Sequence, residues 1–302
     1  MRKLKTKTLK GLKAVMKGRV LENEELAPYM SMKVGGPARY LFFPESEEEI
    51  RVVLSVLAEE KIRYYVMGNG TNIIVRDEGY DGAVIMLGAG FGKITAKGEN
   101  LYAQAGALLK DAAAYAAEQS LTGLEFASGI PGSVGGAVTM NAGAYGGEMK
   151  DVLVSVRAMK KNGDIVTVPA DEAGLSYRHS VFSSGELIVL GAQMKLAEGR
   201  QEDIYTVMKE LSDRRSEKQP LEFPSCGSTF KRPEGYFAGK LIMDSGLRGA
   251  RVGGASVSEK HCGFVVNDRG GTAADVLGVI ELVRRTVMEK QGVDLECEVK
   301  IL

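Results

Sequence analysis

The stretch Gly129–Met149, GIPGSVGGAVTMNAGAYGGEM, holds seven glycines and three alanines but a single charged residue. Flexible linkers are rich in Ser and charge, whereas this stretch carries apolar side chains such as Ile130, Val134 and Val138. Glycine lets a flat ligand or a phosphate lie against bare main chain, whose N–H groups bind anions. The stretch therefore favours a binding loop within a folded α/β region over a linker.

The composition indicates a multidomain protein without a general polyanion-binding surface. The chain has 302 residues, 44% of them hydrophobic, which is enough for two or three domains. Lys plus Arg and Asp plus Glu both number 39, so we expect neither a nucleic-acid nor a membrane partner. The exception is MRKLKTKTLKGLKAVMKGR at the start, with eight basic residues and no acid. We expect residues 1–30 to form a basic helical segment with a solvated face.

The cysteine and histidine counts argue against disulfides and metal sites. Cys226, Cys262 and Cys297 are odd in number and lack CxxC spacing, which fits a reducing cytoplasm. With only His179 and His261 available, we expect no metal centre.

Two α/β lobes are predicted before a third, C-terminal region. In residues 31–87 a helix begins at Ser46, with Glu49 in capping-box spacing, and strands are expected at RYLFFP, YYVM, NIIV and GAVIML. Residues 88–199 carry the helix GALLKDAAAYAAEQSL, a hairpin that turns at Asn162-Gly163, and the strand LIVLGAQMKL.

The third region is predicted to span residues 200–302. It begins with the polar-faced helix EDIYTVMKELSDRRSEKQP, which Pro220 ends. A stronger helix is capped by Thr272 and closed by Gly292, and it buries one valine- and isoleucine-rich face. This order of helices and strands predicts an α+β protein.

Two glycine-rich loops are candidate anion sites. GNGTN, Gly68 to Asn72, suits an anion held by main-chain N–H groups, although a tight turn explains it equally. Ile73 stands where a dinucleotide fingerprint needs its third glycine, and the chain has no GxxxxGK[ST]. GIPGSVGGA adds Ser133 as a phosphate donor, the alternative being glycine-rich packing of a helix on a strand. Two such loops together favour a cofactor that carries a pyrophosphate.

Three further residues are candidates for chemistry, each with an ordinary alternative. Arg178, beside Tyr177 in LSYRHSVF, can grip a carboxylate, or it is a surface arginine. Ser228 in PSCGSTFKRP lacks a GxSxG elbow, so it is a proton donor or a plain loop serine. Glu296 and Glu298 alternate in LECEVKIL and so share one strand face. The ordinary alternative is that this face is simply exposed to solvent.

Taken together, these motifs resemble the UDP-N-acetylenolpyruvoylglucosamine reductase family, flavoenzymes of bacterial cell-wall synthesis. The resemblance runs from Met32 to the C-terminus, through KVGGPARYLFFP, VMGNGTNIIV, GIPGSVGGAVTMNAGAYG, SYRHSVF, CGSTFKRP, AGKLIMDSGLRGARVGGASVSEKHCGFVVN and LECEVKIL. It implies a two-lobed FAD-binding domain of the PCMH/vanillyl-alcohol-oxidase-like type and a C-terminal α+β substrate domain. The region 178–220 lacks an obvious insertion, so the shorter architectural type of the family is expected.

The resemblance also implies noncovalent FAD, because neither His179 nor His261 lies in the glycine-rich loops to tether a flavin. Valine in place of Gly132 or Gly135 would then occupy the cofactor's place and weaken flavin retention. The implied cofactor residues are Gly68, Asn69, Gly70, Thr71, Asn72, Gly129, Pro131, Gly132, Ser133, Gly135, Gly136 and Ala137.

The implied reaction is the NADPH-dependent reduction of UDP-N-acetylglucosamine enolpyruvate to UDP-N-acetylmuramate. NADPH and the enolpyruvyl substrate would use one site in turn, in a cytoplasmic monomer. Arg178 and a protonated Glu298 would position the substrate carboxylate and stabilise an enol-like intermediate, and Ser228 would protonate the carbon. The alternatives are a flavin oxidase that uses O2 and a non-catalytic sensor of UDP-sugars, and the presence of all three residues argues against the sensor.

Overall fold

The computed structural model describes residues 3–302, and the chain divides into two compact units. Unit 1 comprises the chain up to Asn23, together with Arg39–Asn69 and Asp81–Asp213. Unit 2 comprises Glu24–Ala38, Gly70–Tyr80 and Arg214–Leu302. The division 1–30, 31–87, 88–199 and 200–302 stays a prediction.

Helices and strands alternate through both units, which confirms the α+β class. In the described part of the chain the helices are α1 (Thr6–Val15), α2 (Glu47–Glu59), α3 (Leu109–Glu118), α4 (Val134–Thr139), α5 (Gln201–Lys218), α6 (Ala238–Asp244) and α7 (Ala273–Gln291). The strands are β1 (Val20–Glu25), β2 (Pro37–Phe42), β3 (Tyr64–Met67), β4 (Ile73–Ile74), β5 (Tyr80–Met86), β6 (Ile94–Lys97), β7 (Asn100–Gln104), β8 (Leu121–Thr122), β9 (Gly143–Ala144), β10 (Gly147–Glu148), β11 (Leu153–Lys160), β12 (Ile165–Pro169), β13 (Leu187–Lys195), β14 (Ala197–Glu198), β15 (Ser225–Ser228), β16 (Arg251–Val252), β17 (Ala255–Val257), β18 (Phe264–Val266) and β19 (Lys300–Ile301).

Unit 1 contains two larger sheets. The first has the order β1-β2-β5-β3, with β3 and β5 parallel and Tyr64 opposite Ala83. The second is antiparallel with the order β12-β11-β13-β7-β6. Gly163 has φ +89° between β11 and β12, so the expected Asn162-Gly163 turn is confirmed.

Helix α2 begins with one of the two hydrogen bonds of a capping box. The Ser46 hydroxyl accepts a hydrogen bond from the Glu49 N–H at 3.2 Å, as the capping-box spacing predicted. The buried Glu49 carboxylate, however, accepts from the N–H groups of Lys17 (2.7 Å) and Glu45 (2.9 Å). The second half of the capping box is therefore replaced by a contact that fixes the chain before β1.

Helix α1 is the basic N-terminal helix, and its lysines are exposed as expected. Its opposite face is not solvated, because Leu9 and Leu12 are buried in the core of unit 1. Just before the helix, the Leu4 N–H donates to the Tyr40 hydroxyl at 2.9 Å. The charge pattern predicted the exposed lysines. The two leucines that pack the helix against the core were not part of that prediction.

Unit 2 is built on the antiparallel sheet β15-β18-β17-β16. Helix α7 begins with a full capping box between Thr272 and Asp275 and ends at Gly292, whose φ is +68°. Its caps and its apolar face agree with the prediction. The buried positions of that face are Ala273, Val276, Val279, Ile280, Val283 and Val287.

The expected strand in LECEVKIL is wrong as a continuous element. Cys297 forms an isolated bridge with Phe230, and only Lys300–Ile301 forms a strand, parallel to Ile73–Ile74. The segment changes its partner between these points, so no single ladder can run along it.

No helix among residues 3–302 has the length and apolar character needed to cross a membrane.

Candidate functional site

The two glycine-rich loops meet in unit 1. The Asn69 side-chain amide donates to the Pro131 carbonyl oxygen at 2.8 Å. A Cβ placed on Gly68 would lie 2.0 Å from the Ser133 hydroxyl oxygen, so no side chain fits between the loops. The structure therefore brings together predicted site residues that are about sixty positions apart in the sequence.

The main chain at this meeting point suits an anion. Within the described residues, the N–H groups of Asn69, Gly132 and Ser133 have no hydrogen-bond acceptor. Neither loop contains a carboxylate side chain. N–H donors without competing negative charge are the groups that hold a pyrophosphate, so these residues fit FAD.

Two positions of helix α4, Gly135 and Gly136, are glycine for different physical reasons. At Gly135 a Cβ would lie 2.9 Å from the Ala105 Cβ, and the Gly135 N–H already donates to the Ala105 carbonyl oxygen at 2.8 Å. Gly135 is thus required by packing within the protein, a different reason from the one expected. Gly136 is exposed, and its Cβ would approach only the Ser133 hydroxyl oxygen, at 3.5 Å. Ala137 is buried, so its side chain belongs to the core.

The rest of the GNGTN loop belongs to unit 2. Gly70 has φ +60°, and a Cβ there would lie 2.3 Å from the Tyr29 carbonyl oxygen. The Asn72 amide donates to the Glu298 carbonyl oxygen at 3.2 Å, and the Asn72 carbonyl accepts from the Lys300 N–H at 3.0 Å. Asn72 thereby fixes the C-terminal segment that carries Glu298.

Ser228 and Glu298 are neighbours in unit 2. Ser228 is exposed at the end of β15, directly after Gly227, whose φ is +73°. The Glu298 N–H donates to the carbonyl oxygen of Thr229 at 2.9 Å, and Glu298 is half-buried. Two candidates 70 positions apart are therefore joined through one residue of main chain. Their neighbour Glu296 is instead exposed and forms an ion pair with Lys231.

Arg178 lies in unit 1, in a two-residue turn. The N–H and carbonyl groups of Ser176 and His179 bond each other at 3.1 Å in both directions, which leaves Tyr177 and Arg178 at the tip. Arg178 has φ +54°, a left-handed conformation that is uncommon for arginine. Its guanidinium lies 5.1 Å from the centroid of the Tyr177 ring and donates to the Gly143 carbonyl oxygen at 3.4 Å.

Burial shifts the pKa of a thiol and of an imidazole in unit 2. Burial raises the pKa of the Cys226 thiol to about 12, and its sulfur lies 3.6 Å from the Ile73 carbonyl oxygen. Burial lowers the pKa of His261, whose Nδ1 accepts from the Gly263 N–H at 3.0 Å. Cys226 is therefore a packed thiol rather than a reactive one. No group of three or more metal-binding side chains occurs among residues 3–302.

The sequence reading missed Asn141. Its side chain is completely buried and hydrogen-bonds to the Arg178 turn at Ser176. A polar residue between the apolar Met140 and Ala142, two positions after the end of helix α4, was the available signal.

Two protein-family models match the chain. One is described as an FAD binding domain and matches residues 38–169. The other is described as the C-terminal domain of UDP-N-acetylenolpyruvoylglucosamine reductase and matches residues 219–302.

Curated relatives match nearly the whole chain. UDP-N-acetylenolpyruvoylglucosamine reductase of Agathobacter rectalis is 50% identical over 295 residues, which cover 94% of this chain and 94% of that protein. The reductase of the same name from Caldanaerobacter subterraneus is 47% identical over 292 residues, 96% of each chain. A crystal structure of UDP-N-acetylenolpyruvylglucosamine reductase from Thermus caldophilus is similar with a TM-score of 0.81 and 37% identity, covering 95% of this chain and 99% of that one.

Proposed function

Because the chain belongs to the UDP-N-acetylenolpyruvoylglucosamine reductase family, we propose that it reduces UDP-N-acetylglucosamine enolpyruvate to UDP-N-acetylmuramate with NADPH, in peptidoglycan precursor synthesis. The protein is an FAD-dependent oxidoreductase. The observation that carries the proposal is the meeting of the two glycine-rich loops, where main-chain N–H groups of the described residues have no acceptor and neither loop contains an acidic side chain.

Bound FAD would supply two-electron chemistry, the transfer of a hydride from NADPH to the vinyl group of the substrate. The loop Gly68–Asn72 and the loop Gly129–Ala137 hold it through the main chain. The convergence of Asn69 on Pro131 supports this assignment, as does the exposed backbone at Gly136. Gly135, Ala137 and Asn72 make contacts within the protein, and we assign them to holding the loops in place.

Arg178 binds the carboxylate of the enolpyruvyl group. A guanidinium offers two parallel N–H donors that match the two carboxylate oxygens. The turn that carries Arg178 is closed by paired main-chain hydrogen bonds, which support a defined direction for the side chain. The same contact stabilises negative charge when it spreads from the reacting carbon onto the carboxylate.

Ser228 and Glu298 complete the reaction on the substrate. As hydride adds to the terminal vinyl carbon, the neighbouring carbon gains negative charge and must receive a proton. The exposed hydroxyl of Ser228 donates that proton, and the protonated carboxyl of Glu298 hydrogen-bonds to the enol-like intermediate. Their link through Thr229 supports a joint role.

We also propose that NADPH and the enolpyruvyl substrate use one site in turn, since the sequence holds no separate nucleotide-binding fingerprint. The protein acts as a cytoplasmic monomer. The three unpaired cysteines support a reducing compartment. The region from residue 200 to residue 302 is the substrate-binding domain, preceded by a basic segment (1–30) and two FAD-binding lobes (31–87 and 88–199).

The purified protein tests this proposal by its visible spectrum. We expect a yellow protein that releases its flavin into the supernatant on denaturation and bleaches when NADPH is added without oxygen. The enolpyruvyl substrate should then restore the colour. Colour that stays with the precipitate contradicts noncovalent FAD. A bleached flavin that only oxygen restores indicates an oxidase, and a colourless protein that binds UDP-sugars indicates a sensor.

A further inference from the structure

Asn141 is a completely buried amide of unit 1 that joins three segments. Its Nδ2 donates to the Ser176 carbonyl oxygen at 3.1 Å and to the Glu148 carboxylate at 2.7 Å. Its Oδ1 accepts from the Lys150 N–H at 2.9 Å. Both donors and the acceptor of the amide are therefore used, in a place that water does not reach.

One of these bonds holds the main chain of Arg178. Ser176 opens the two-residue turn, and its carbonyl accepts from both the His179 N–H and the Asn141 amide. Arg178 sits at the tip with φ +54°, a conformation that persists only where surrounding contacts enforce it. On the far side of the turn, the Ser180 hydroxyl donates to the Thr139 carbonyl oxygen at 2.7 Å, at the end of helix α4.

A second bond leads to the hairpin that the guanidinium of Arg178 contacts. The guanidinium donates to the Gly143 carbonyl oxygen in β9, and Gly143 is paired with Glu148 in β10. The Glu148 carboxylate is the one that accepts from Asn141. Asn141 is thus bonded to the turn at the root of Arg178 and to the hairpin that its head contacts.

We infer that Asn141 is the positioning residue for Arg178, holding the turn through Ser176 so that the guanidinium faces the substrate carboxylate. This inference rests on the proposed function, in which Arg178 binds that carboxylate. Asn141 itself touches neither substrate nor cofactor in this account. Its removal should therefore weaken substrate binding while leaving the step that involves NADPH intact.

The test uses the holoenzyme with Asn141→Asp, which keeps the shape of the side chain and tolerates its φ of +42°. The change removes the donor to Ser176 and sets a carboxylate against that of Glu148, so the two acids share one proton. We expect the Kd of the enolpyruvyl substrate, titrated against the oxidised flavin spectrum, to rise roughly 5- to 30-fold, the usual range for a lost buried hydrogen bond. Bleaching by NADPH should stay close to the wild-type rate. Wild-type substrate affinity in Asn141→Asp overturns the inference.

Two companion variants separate this route from a general loss of structure. Glu148→Gln alone loses a partly exposed ion pair with Lys150 but should change substrate affinity little, since its amide oxygen still accepts from Asn141. Added to Asn141→Asp, it removes the carboxylate pair and donates to the new carboxylate, so the bond to β10 is kept while the bond to Ser176 stays lost. Substrate binding should stay weak, and recovery to wild-type affinity contradicts the route through Ser176. Asn162→Asp is an exposed control for the same change of amide to carboxylate, because Asn162 also donates to a carboxylate, that of Asp164, in another turn of unit 1.

Arg178→Ala distinguishes failure of the inference from failure of the proposed function. If Arg178→Ala binds substrate as the wild type does, the role proposed for Arg178 is wrong. If Arg178→Ala binds weakly, Asn141→Asp should add nothing to it, and a further additive loss contradicts positioning through Arg178. Should Asn141→Asp fail to fold, Asn141→Gly accommodates the positive φ without a side chain and carries the same expectation.

Discussion

Gly136→Ala separates a cofactor contact from a structural one. Gly136 is exposed on helix α4, and a Cβ there would meet only the Ser133 hydroxyl oxygen, at 3.5 Å, an ordinary van der Waals distance. Alanine in a helix is more favourable than glycine by roughly 0.5–1 kcal/mol, so the protein without flavin should become slightly more stable. If FAD lies against this backbone, the added methyl group must displace it.

The size of the effect follows from the cost of overpacking a close contact, about 1–3 kcal/mol. That cost corresponds to roughly a 5- to 150-fold increase in the Kd for FAD. The assay is titration of the flavin-free protein with FAD, followed by quenching of flavin fluorescence, alongside thermal melting of the same flavin-free sample.

Gly135→Ala is the matched comparison, one position earlier in the same helix. Its Cβ would lie 2.9 Å from the Ala105 Cβ and 3.1 Å from the Ala105 carbonyl oxygen, so it should lower the melting temperature of the flavin-free protein. Wild-type FAD affinity in Gly136→Ala would refute the claim that the cofactor lies against Gly136. A melting temperature that falls in Gly136→Ala would refute the claim that the site is open.

Three further predictions concern single side chains. Ser228→Ala should leave bleaching by NADPH near normal and slow flavin reoxidation by the enolpyruvyl substrate by roughly a hundredfold or more, with partial recovery in Ser228→Cys. Stopped-flow absorbance measures both steps, and reoxidation at the wild-type rate would show that Ser228 is not the proton donor. Arg178→Lys should keep little of that second rate, because an ammonium cannot grip a carboxylate at two points; a rate within a few-fold of wild type would argue against bidentate binding. Burial raises the pKa of Cys226 to about 12, so this thiol should resist iodoacetamide at pH 8 in the folded protein and react after denaturation. Mass spectrometry of the labelled peptide measures both, and rapid labelling of the folded protein would contradict a packed thiol.

The sequence predicted those elements whose signals are local. Helix α7 has a capping residue, an apolar face and a closing glycine within its own twenty-one residues, Thr272–Gly292. The Asn162-Gly163 turn likewise needs only two neighbouring strands. The glycine-rich loops stood out because glycine is costly wherever no close contact requires it.

The contacts that build the site are non-local and left little trace in the sequence. Strand β4 has two residues and pairs with β19 more than two hundred positions later, so it has no periodicity to detect. The link between Ser228 and Glu298 depends on the same exchange of partners in the C-terminal segment. Asn141 looks like an ordinary loop residue until the turn around Arg178 is placed against it. Sequence context made Arg178, Ser228 and Glu298 candidates beside ordinary alternatives, and only the family resemblance gave them roles.

Identification of the product tests whether the protein catalyses the proposed reduction. The holoenzyme is incubated with NADPH and UDP-N-acetylglucosamine enolpyruvate without oxygen, and the nucleotide sugar is identified by mass spectrometry. We expect UDP-N-acetylmuramate, heavier than the substrate by two hydrogen atoms, in equal amount to the NADPH consumed, and no product from protein stripped of FAD. Unchanged enolpyruvyl substrate after the flavin has been reduced would contradict the proposed reduction.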